Sequence, residues 1–276
     1  MDGEGNLALF CDFENIALGV RDAKYDKFDI QLVLERLLLK GSIVTKKAYC
    51  DWDRYKEFKK VMHEAAFELI EIPHVRISGK NSADIRMVVD ALDLCYTKEH
   101  IDTFVIISGD SDFSPLVSKL RENAKTVIGV GVKNSTSDLL IANCDEFIFY
   151  DDLVQSTRAG KKGKPGAVAE KKSATKKKGR QMKPAAKTSD RAQEAIDLVL
   201  DTTEALYTER GDRGKLWGSM IKQTLKRRRP GFNESYYGFN SFSDLLEEAE
   251  SRQVLELERD ERSGGYIVKG ITRKSS

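Results

Sequence analysis

The sequence predicts an α/β protein, a parallel sheet covered by helices, followed by a smaller unit of different pattern. Three observations carry that prediction. Short, near-continuous apolar runs alternate with amphipathic stretches through the first 150 residues, and strands that are apolar on both faces belong in a covered parallel sheet. A lysine-rich stretch then breaks the pattern, in a chain of 276 residues that exceeds one average domain. Beyond it the periodicity resumes as three helices and a hairpin.

Taken in order, β-rich runs occupy residues 7–11, 42–50, a stretch around Val75, 103–108, 126–132 and 146–150. Between them, Ile30, Val33, Leu34, Leu37 and Leu38 form one helical stripe. Phe58, Met62, Ala65, Ala66 and Leu69 form another. Hydrophobic residues make up 40% of the chain and charged residues 33%, enough to build cores in water. No run of about 18 apolar residues exists to cross a membrane. The acidic start and the short run LALFC do not make a signal peptide, so a cytoplasmic protein is expected. Cys11, Cys50, Cys95 and Cys144 lie far apart in apolar surroundings and read as reduced core thiols.

The net charge of +2 conceals three blocks. Residues 1–154 carry −8, residues 155–188 carry +11 and residues 189–276 carry −1. The middle block is rich in Lys, Gly, Ala and Ser and poor in large apolar side chains, so it reads as a disordered linker between two folded domains. Its cations, among them Lys176, Lys177, Lys178 and Arg180, either only solvate a spacer or neutralise nucleic-acid phosphates.

Chemistry in a parallel sheet collects at the carboxyl ends of the strands. The first run leads straight into Cys11-Asp12-Phe13-Glu14-Asn15, and the fourth into Ser108-Gly109-Asp110-Ser111-Asp112-Phe113. An acid after a strand is often only an N-cap. Asp112 fits that reading, because a helix with Leu116, Val117 and Leu120 follows it. Asp110 sits two residues too early, and Asp12 precedes its next strongly periodic helix by some seventeen residues, so both read as functional. A third acid comes from the stretch 82–95. On a helical wheel Met87, Val88, Ala91 and Cys95 surround Asp84, while Asp90 and Asp93 lie opposite with Arg86. Asp84 is therefore expected to face the sheet from the first turn, and Asp90 to face solvent. The alternative for Asp84 is a first-turn acid favoured by the helix dipole.

Carboxylates gathered at one edge repel one another unless a hard cation shares them. With oxygen donors alone, that cation is Mg²⁺ or Mn²⁺ rather than zinc, and such sites commonly act on phosphate. The chain has no phosphate-cradling P-loop, and Gly129-Val130-Gly131 lacks the last glycine of a dinucleotide loop. His63, His74 and His100 are scattered and flank no nucleophile. A phosphatase of the D-x-D-x-T type is disfavoured, because Glu14 and Ile16 stand where its second Asp and its Thr belong. Metal-assisted phosphodiester hydrolysis remains.

Together, Asp12-Phe13-Glu14-Asn15-Ile16, the helix bearing Asp84 and Ser108-Gly109-Asp110-Ser111-Asp112-Phe113 resemble the NYN domain of the PIN-like nuclease superfamily, over roughly residues 5–150. The resemblance implies a Rossmann-like fold and a Mg²⁺/Mn²⁺ centre that cuts RNA, DNA being the poorer substrate. It maps the site acids onto Asp12, Asp84, Asp110 and Asp112, with Asn15 as a polar partner. Asp112 would ligate a second ion or orient the attacking water. Asp90 also stands where many relatives carry an acid.

In residues 189–276 a long helical pattern (Ala195, Leu198, Val199, Thr202, Leu206) precedes a second stripe ending at Arg227-Arg228-Arg229-Pro230. A third helix follows from Phe242, and two alternating runs flank a turn signal at residues 262–265. Three helices and a β wing suggest a winged helix. Residues 190–272 resemble a LOTUS (OST-HTH) domain, which implies RNA binding or docking to a partner protein. Arg227, Arg228 and Arg229 contact RNA or simply complement the helix dipole. The resulting expectation is a two-domain, metal-dependent ribonuclease; the alternative is a non-catalytic RNA-binding scaffold.

Overall fold

The computed structural model describes residues 5–72, 82–162, 185–210, 215–260 and 263–272. The chain forms two compact units, one mainly of residues up to Gln155 and the other mainly of those from Ser156 on.

The first unit opens with β1 (Gly5–Asp12), buried from Leu7 onward. Helix α1 (Phe13–Asp22) begins at once, where the sequence pattern gave no helix before Ile30. It buries Phe13, Ile16 and Val20, and the gap in its stripe is Gly19, whose Cβ would lie 2.4 Å from Ser135 Oγ. A face that needs a glycine for close packing does not read as apolar. Helix α2 (Ile30–Leu38) follows, its first turn capped by Asp29, which accepts from the Gln31 N–H at 3.0 Å. Next come β2 (Gly41–Cys50), α3 (Lys56–Glu64) and β3 (Glu68–Glu71).

The second expected stripe runs past the end of its helix. Ala66 takes a left-handed φ of 57°. The Phe67 N–H then donates to the Met62 carbonyl at 3.0 Å, which closes α3. Leu69 therefore belongs to β3, and the third strand lies before Val75, which is outside the described residues.

The unit continues with α4 (Ser82–Thr97), β4 (Thr103–Ile107), a 3-10 turn at Ser111–Phe113, α5 (Ser114–Glu122), β5 (Thr126–Gly131), α6 (Asp138–Asn143), β6 (Glu146–Phe149) and α7 (Tyr150–Lys162). The six strands form one sheet in the order β3-β2-β1-β4-β5-β6, with every neighbour parallel. Alternation along the strands feeds two cores. Leu7, Leu9 and Cys11 of β1 join Val105 and Ile107 of β4 under α1–α3, whereas Ala8, Phe10, Phe104 and Ile106 pack under α4–α6. Both faces are covered, as continuous apolar strands require. The four cysteines are buried free thiols.

The second unit contains α8 (Ala185–Arg210), β7 (Leu216–Trp217), α9 (Gly218–Arg228), α10 (Phe242–Ser251), β8 (Leu255–Arg259) and β9 (Tyr266–Ile271). Its three strands form an antiparallel sheet in the order β7-β9-β8. Ile196, Val199, Ile221, Leu225, Leu245 and Leu246 close one core beneath it. Ser241 caps α10 by accepting the Asp244 N–H at 3.1 Å. This is the helix-and-wing layout expected from the sequence, with β7 as an addition too short to leave a pattern. Helix reaches into both ends of the stretch read as a linker, α7 running to Lys162 and α8 beginning at Ala185. Lys176, Lys177, Lys178 and Arg180 lie outside the described residues. Among the described residues no helix is long and apolar enough to cross a membrane.

Candidate active site

From β1 the chain steps outward to β2 and β3, and α4 then carries it back to β4 on the other side of β1. The strand order thus reverses between β1 and β4. In open α/β sheets, ligands bind at the carboxyl ends of the strands flanking such a reversal. Asp12 ends β1, and Asp110 follows β4 by three residues.

A hydrogen-bond network fixes the two ends against each other. Asp12 Oδ1 accepts the Asn15 N–H at 3.3 Å, and its Oδ2 accepts the Ser108 hydroxyl at 3.0 Å. Asn15 reaches across the strand ends, its Oδ1 accepting the Gly109 N–H at 2.9 Å. Ser108 Oγ in turn accepts the Asp110 N–H at 3.2 Å, and Asp110 Oδ1 accepts the Asp112 N–H at 2.9 Å. A Cβ on Gly109 would lie 2.4 Å from the Ser135 carbonyl oxygen, so this loop needs its glycine. The capping expected of Asp112 is instead performed by Asp12 for α1 and by Asp110 for the 3-10 turn. Capping uses one carboxylate oxygen of each and leaves the charge unmatched.

Asp12, Glu14, Asn15, Asp51, Asp84 and Asp110 line one cavity of about 310 Å³. Asp112 is exposed and lies with Asp84 on the adjoining groove. Asp12 is 8% exposed, and its carboxyl is pushed from 3.8 up to about 7. Burial is the largest cause, followed by the charge of Asp84; Asp110 adds to it, while the bonds from Asn15 and Ser108 oppose it. The Asp84 carboxyl is also raised, by burial first and then by Asp110, Asp112 and Glu14. All four site acids expected from the sequence, and Asn15, thus gather at one edge. Among the described residues no three His, Cys, Asp or Glu side chains form a ready coordination set, so the acids are neighbours rather than a closed cage.

Two acids of the cavity were not picked out from the sequence. Asp51 follows β2 directly, so the strand-end rule that found Asp12 would have found it too. Glu14 stands in the same motif as Asp12 and pairs with Arg54 at 3.2 Å. Asp90 is the reverse case. Its side chain is only 13% exposed, and Oδ2 accepts the Tyr49 hydroxyl at 2.9 Å. Lys47 stands 3.7 Å away, and Arg86 contacts Oδ1 at 3.1 Å. A helix lying on a sheet covers a wide arc, and the flank of that arc, where Asp90 sits, is polar but not solvated. Asp93 is exposed, as expected.

Arg227, Arg228 and Arg229 are exposed at and just beyond the end of α9. Helix α10 carries Asp244, Glu247, Glu248 and Glu250 and no Lys or Arg.

The NYN domain family model matches residues 6–151. An uncharacterised protein of Methanocaldococcus jannaschii is 28% identical over 156 residues, 56% of this chain and 60% of that protein. The chain therefore spans about 60% of the length of the curated relative it matches. A crystal structure of a protein of unknown function from Vibrio parahaemolyticus is 26% identical and covers 55% of this chain and 97% of its own, with a TM-score of 0.49.

Proposed function

The chain belongs to the NYN domain family, within the PIN-like nuclease superfamily, and on that premise we propose that its first unit is a metal-dependent ribonuclease. The observation that carries the reading is Asp12, a carboxylate buried where the strand order reverses and pushed up to about 7 by burial and by neighbouring acids. An unneutralised carboxylate in such a place is costly and gains by sharing a cation. The four acids offer oxygen atoms only, and the Cys50 thiol that also lines the cavity is kept protonated by burial, a donor set that fits Mg²⁺ or Mn²⁺. When bound by Asp12, Asp84, Asp110 and Asp112, that ion supplies an acidified water and positive charge against the phosphoryl oxygens.

The chain's own residues do the rest. Ser108 and Asn15 hold Asp12 in one orientation and tie the end of β1 to the loop after β4. Asp112, the most exposed of the four, orients the attacking water or binds a second ion. Asp12 serves as a ligand in its ionised form, so a cation competes with its proton and more metal is needed for activity as the pH falls below about 7. The second unit acts as a LOTUS (OST-HTH) module that holds RNA or docks a partner protein. RNA meets the exposed arginines ending α9 rather than the acidic α10.

A non-catalytic RNA-binding module is the second reading, favoured by the lack of a ready coordination set among the described residues. Purified protein incubated with labelled RNA and DNA in Mg²⁺, Mn²⁺ or EDTA separates the two. The nuclease reading expects RNA cleavage that EDTA abolishes, with DNA cut more slowly. RNA that is bound but never cut in any metal would leave only the second reading.

A further inference from the structure

Beside the acidic cavity, α4, α5 and α6 border an open groove of about 720 Å³. Its walls are Ile85, Val88, Val89, Pro115 and Leu139, and Asp84 and Asp112 line it as well. Three of the eight exposed large apolar residues among the described ones, Ile85, Val89 and Leu139, meet there, so exposed aliphatic surface is concentrated in this groove. Apolar side chains gathered in one concave place mark a binding surface more often than the same residues scattered singly. Ser114 also lines the groove. It is 6% exposed, and its hydroxyl is buried without a hydrogen-bond partner. A buried hydroxyl that can both donate and accept, left unpaired, loses the stabilisation that one bond to a ligand would restore.

We propose that this groove seats the nucleobase of the nucleotide next to the phosphodiester that faces the acidic cavity. The proposal takes its substrate from the ribonuclease reading above. Three observations select a base as the occupant. Asp84 borders both the groove and the cavity, so a strand crossing the acids lays its adjoining nucleotide along Ile85 and Leu139. The groove, at about 720 Å³, has room for a base together with the ribose that carries it. Ser114 offers a hydrogen bond that a base edge accepts or donates, whereas an aliphatic side chain from a protein would leave it unpaired. Among the described residues no aromatic side chain lines the groove, so the base is held between aliphatic surfaces rather than stacked on a ring. A hydroxyl of either polarity then gives little preference among the four bases.

The test uses the full chain with labelled Ile, Val and Leu methyl groups, titrated at low salt in Ca²⁺, checked to leave the RNA uncut, with short single-stranded oligouridylate or oligoadenylate, saturation being followed by anisotropy. Methyl resonances of Ile85, Val89 and Leu139 should shift on RNA binding. An Ile85→Ser/Leu139→Ser double variant, made at exposed positions and checked for an unchanged core methyl spectrum, should bind both RNAs about tenfold more weakly. Ser114→Ala should weaken both by about threefold, with their ranking kept. Saturating RNA that leaves these methyls unmoved overturns the proposal. So do methyl shifts that appear on concentrating the protein alone, because a second copy would then cover the groove. The two readings fail separately. RNA cleaved in Mn²⁺ with silent groove methyls removes the groove alone, and shifted methyls in a protein that cuts nothing remove the nuclease alone.

Discussion

Three carboxylates are buried among the described residues, Asp12, Asp151 and Asp152, at 8%, 7% and 8% exposure. The surroundings of Asp12 and Asp152 are opposite. Asp151 accepts the Tyr25 hydroxyl at 3.1 Å and the Lys133 N–H at 2.9 Å. Asp152 pairs with the Lys133 ammonium at 2.7 Å. These two residues fasten the start of α7 to the turn after β5, where the Lys133 ammonium matches the charge of Asp152. Asp12 has hydrogen bonds but no ion-pair partner among the described residues, and its charged neighbours are acids. Burial of an acid is therefore not what marks a functional site. An acid whose cation the fold does not supply is the better mark, because stability alone would not select it.

The widest separation between the two regions is in activity. Asp110→Asn and Asp12→Asn should each abolish RNA cleavage while RNA affinity stays within a few-fold of wild type, whereas Asp151→Asn should cut at the wild-type rate once folded. Gel assays of cleavage beside anisotropy measurements check this. Cleavage kept in both site variants would erase the distinction.

Next in size is a pH effect on stability that belongs to the acidic cavity, chiefly to Asp12, with Asp84 adding in the same direction. The folded chain holds the Asp12 proton up to about 7, whereas the ordinary value is 3.8. Between those values the native state binds more protons than the unfolded state, so stability falls as pH rises from about 4 to about 7 and then levels. The fall is of the order of 4 kcal/mol at most. Denaturation midpoints across that range, in EDTA, should show the slope in wild type and a flatter one in Asp12→Asn. Equal slopes would mean that Asp12 is neutralised in a way the network of Ser108 and Asn15 does not reveal.

The neutralised pair gives the third effect. Lys133→Met removes the ammonium that pairs with the buried Asp152, which should cost about 3 kcal/mol and lower the thermal midpoint without altering metal dependence. A midpoint unchanged by Lys133→Met would place Asp152 in the same class as Asp12.

Much of this contrast is legible in the sequence, for a definite reason. Strands apolar on both faces declare a covered parallel sheet, and a covered sheet says where acids matter, so Asp12 and Asp110 could be found from position alone. Asp84 could be found because Met87, Ala91 and Cys95 set the helix register around it. What stayed hidden depends on local geometry that residue type does not encode. Gly19 breaks the apolar stripe of α1 because two elements pass too closely for a side chain. Ala66 in a left-handed conformation ends α3 inside an unbroken stripe. Asp90 reads as solvated because its partner, the Tyr49 hydroxyl, comes from a strand 41 residues earlier.

The central claim, that the acids around Asp12 are completed by a divalent cation, is tested most directly by the thermal midpoint in Mn²⁺ at neutral to mildly alkaline pH. A ligand that binds only the native state raises the midpoint with the logarithm of its concentration. Wild type should show that rise and Asp151→Asn should keep it, while Asp12→Asn should lose it and start from a higher midpoint in EDTA. An equal Mn²⁺ response in wild type and Asp12→Asn, or none in wild type, would contradict the account.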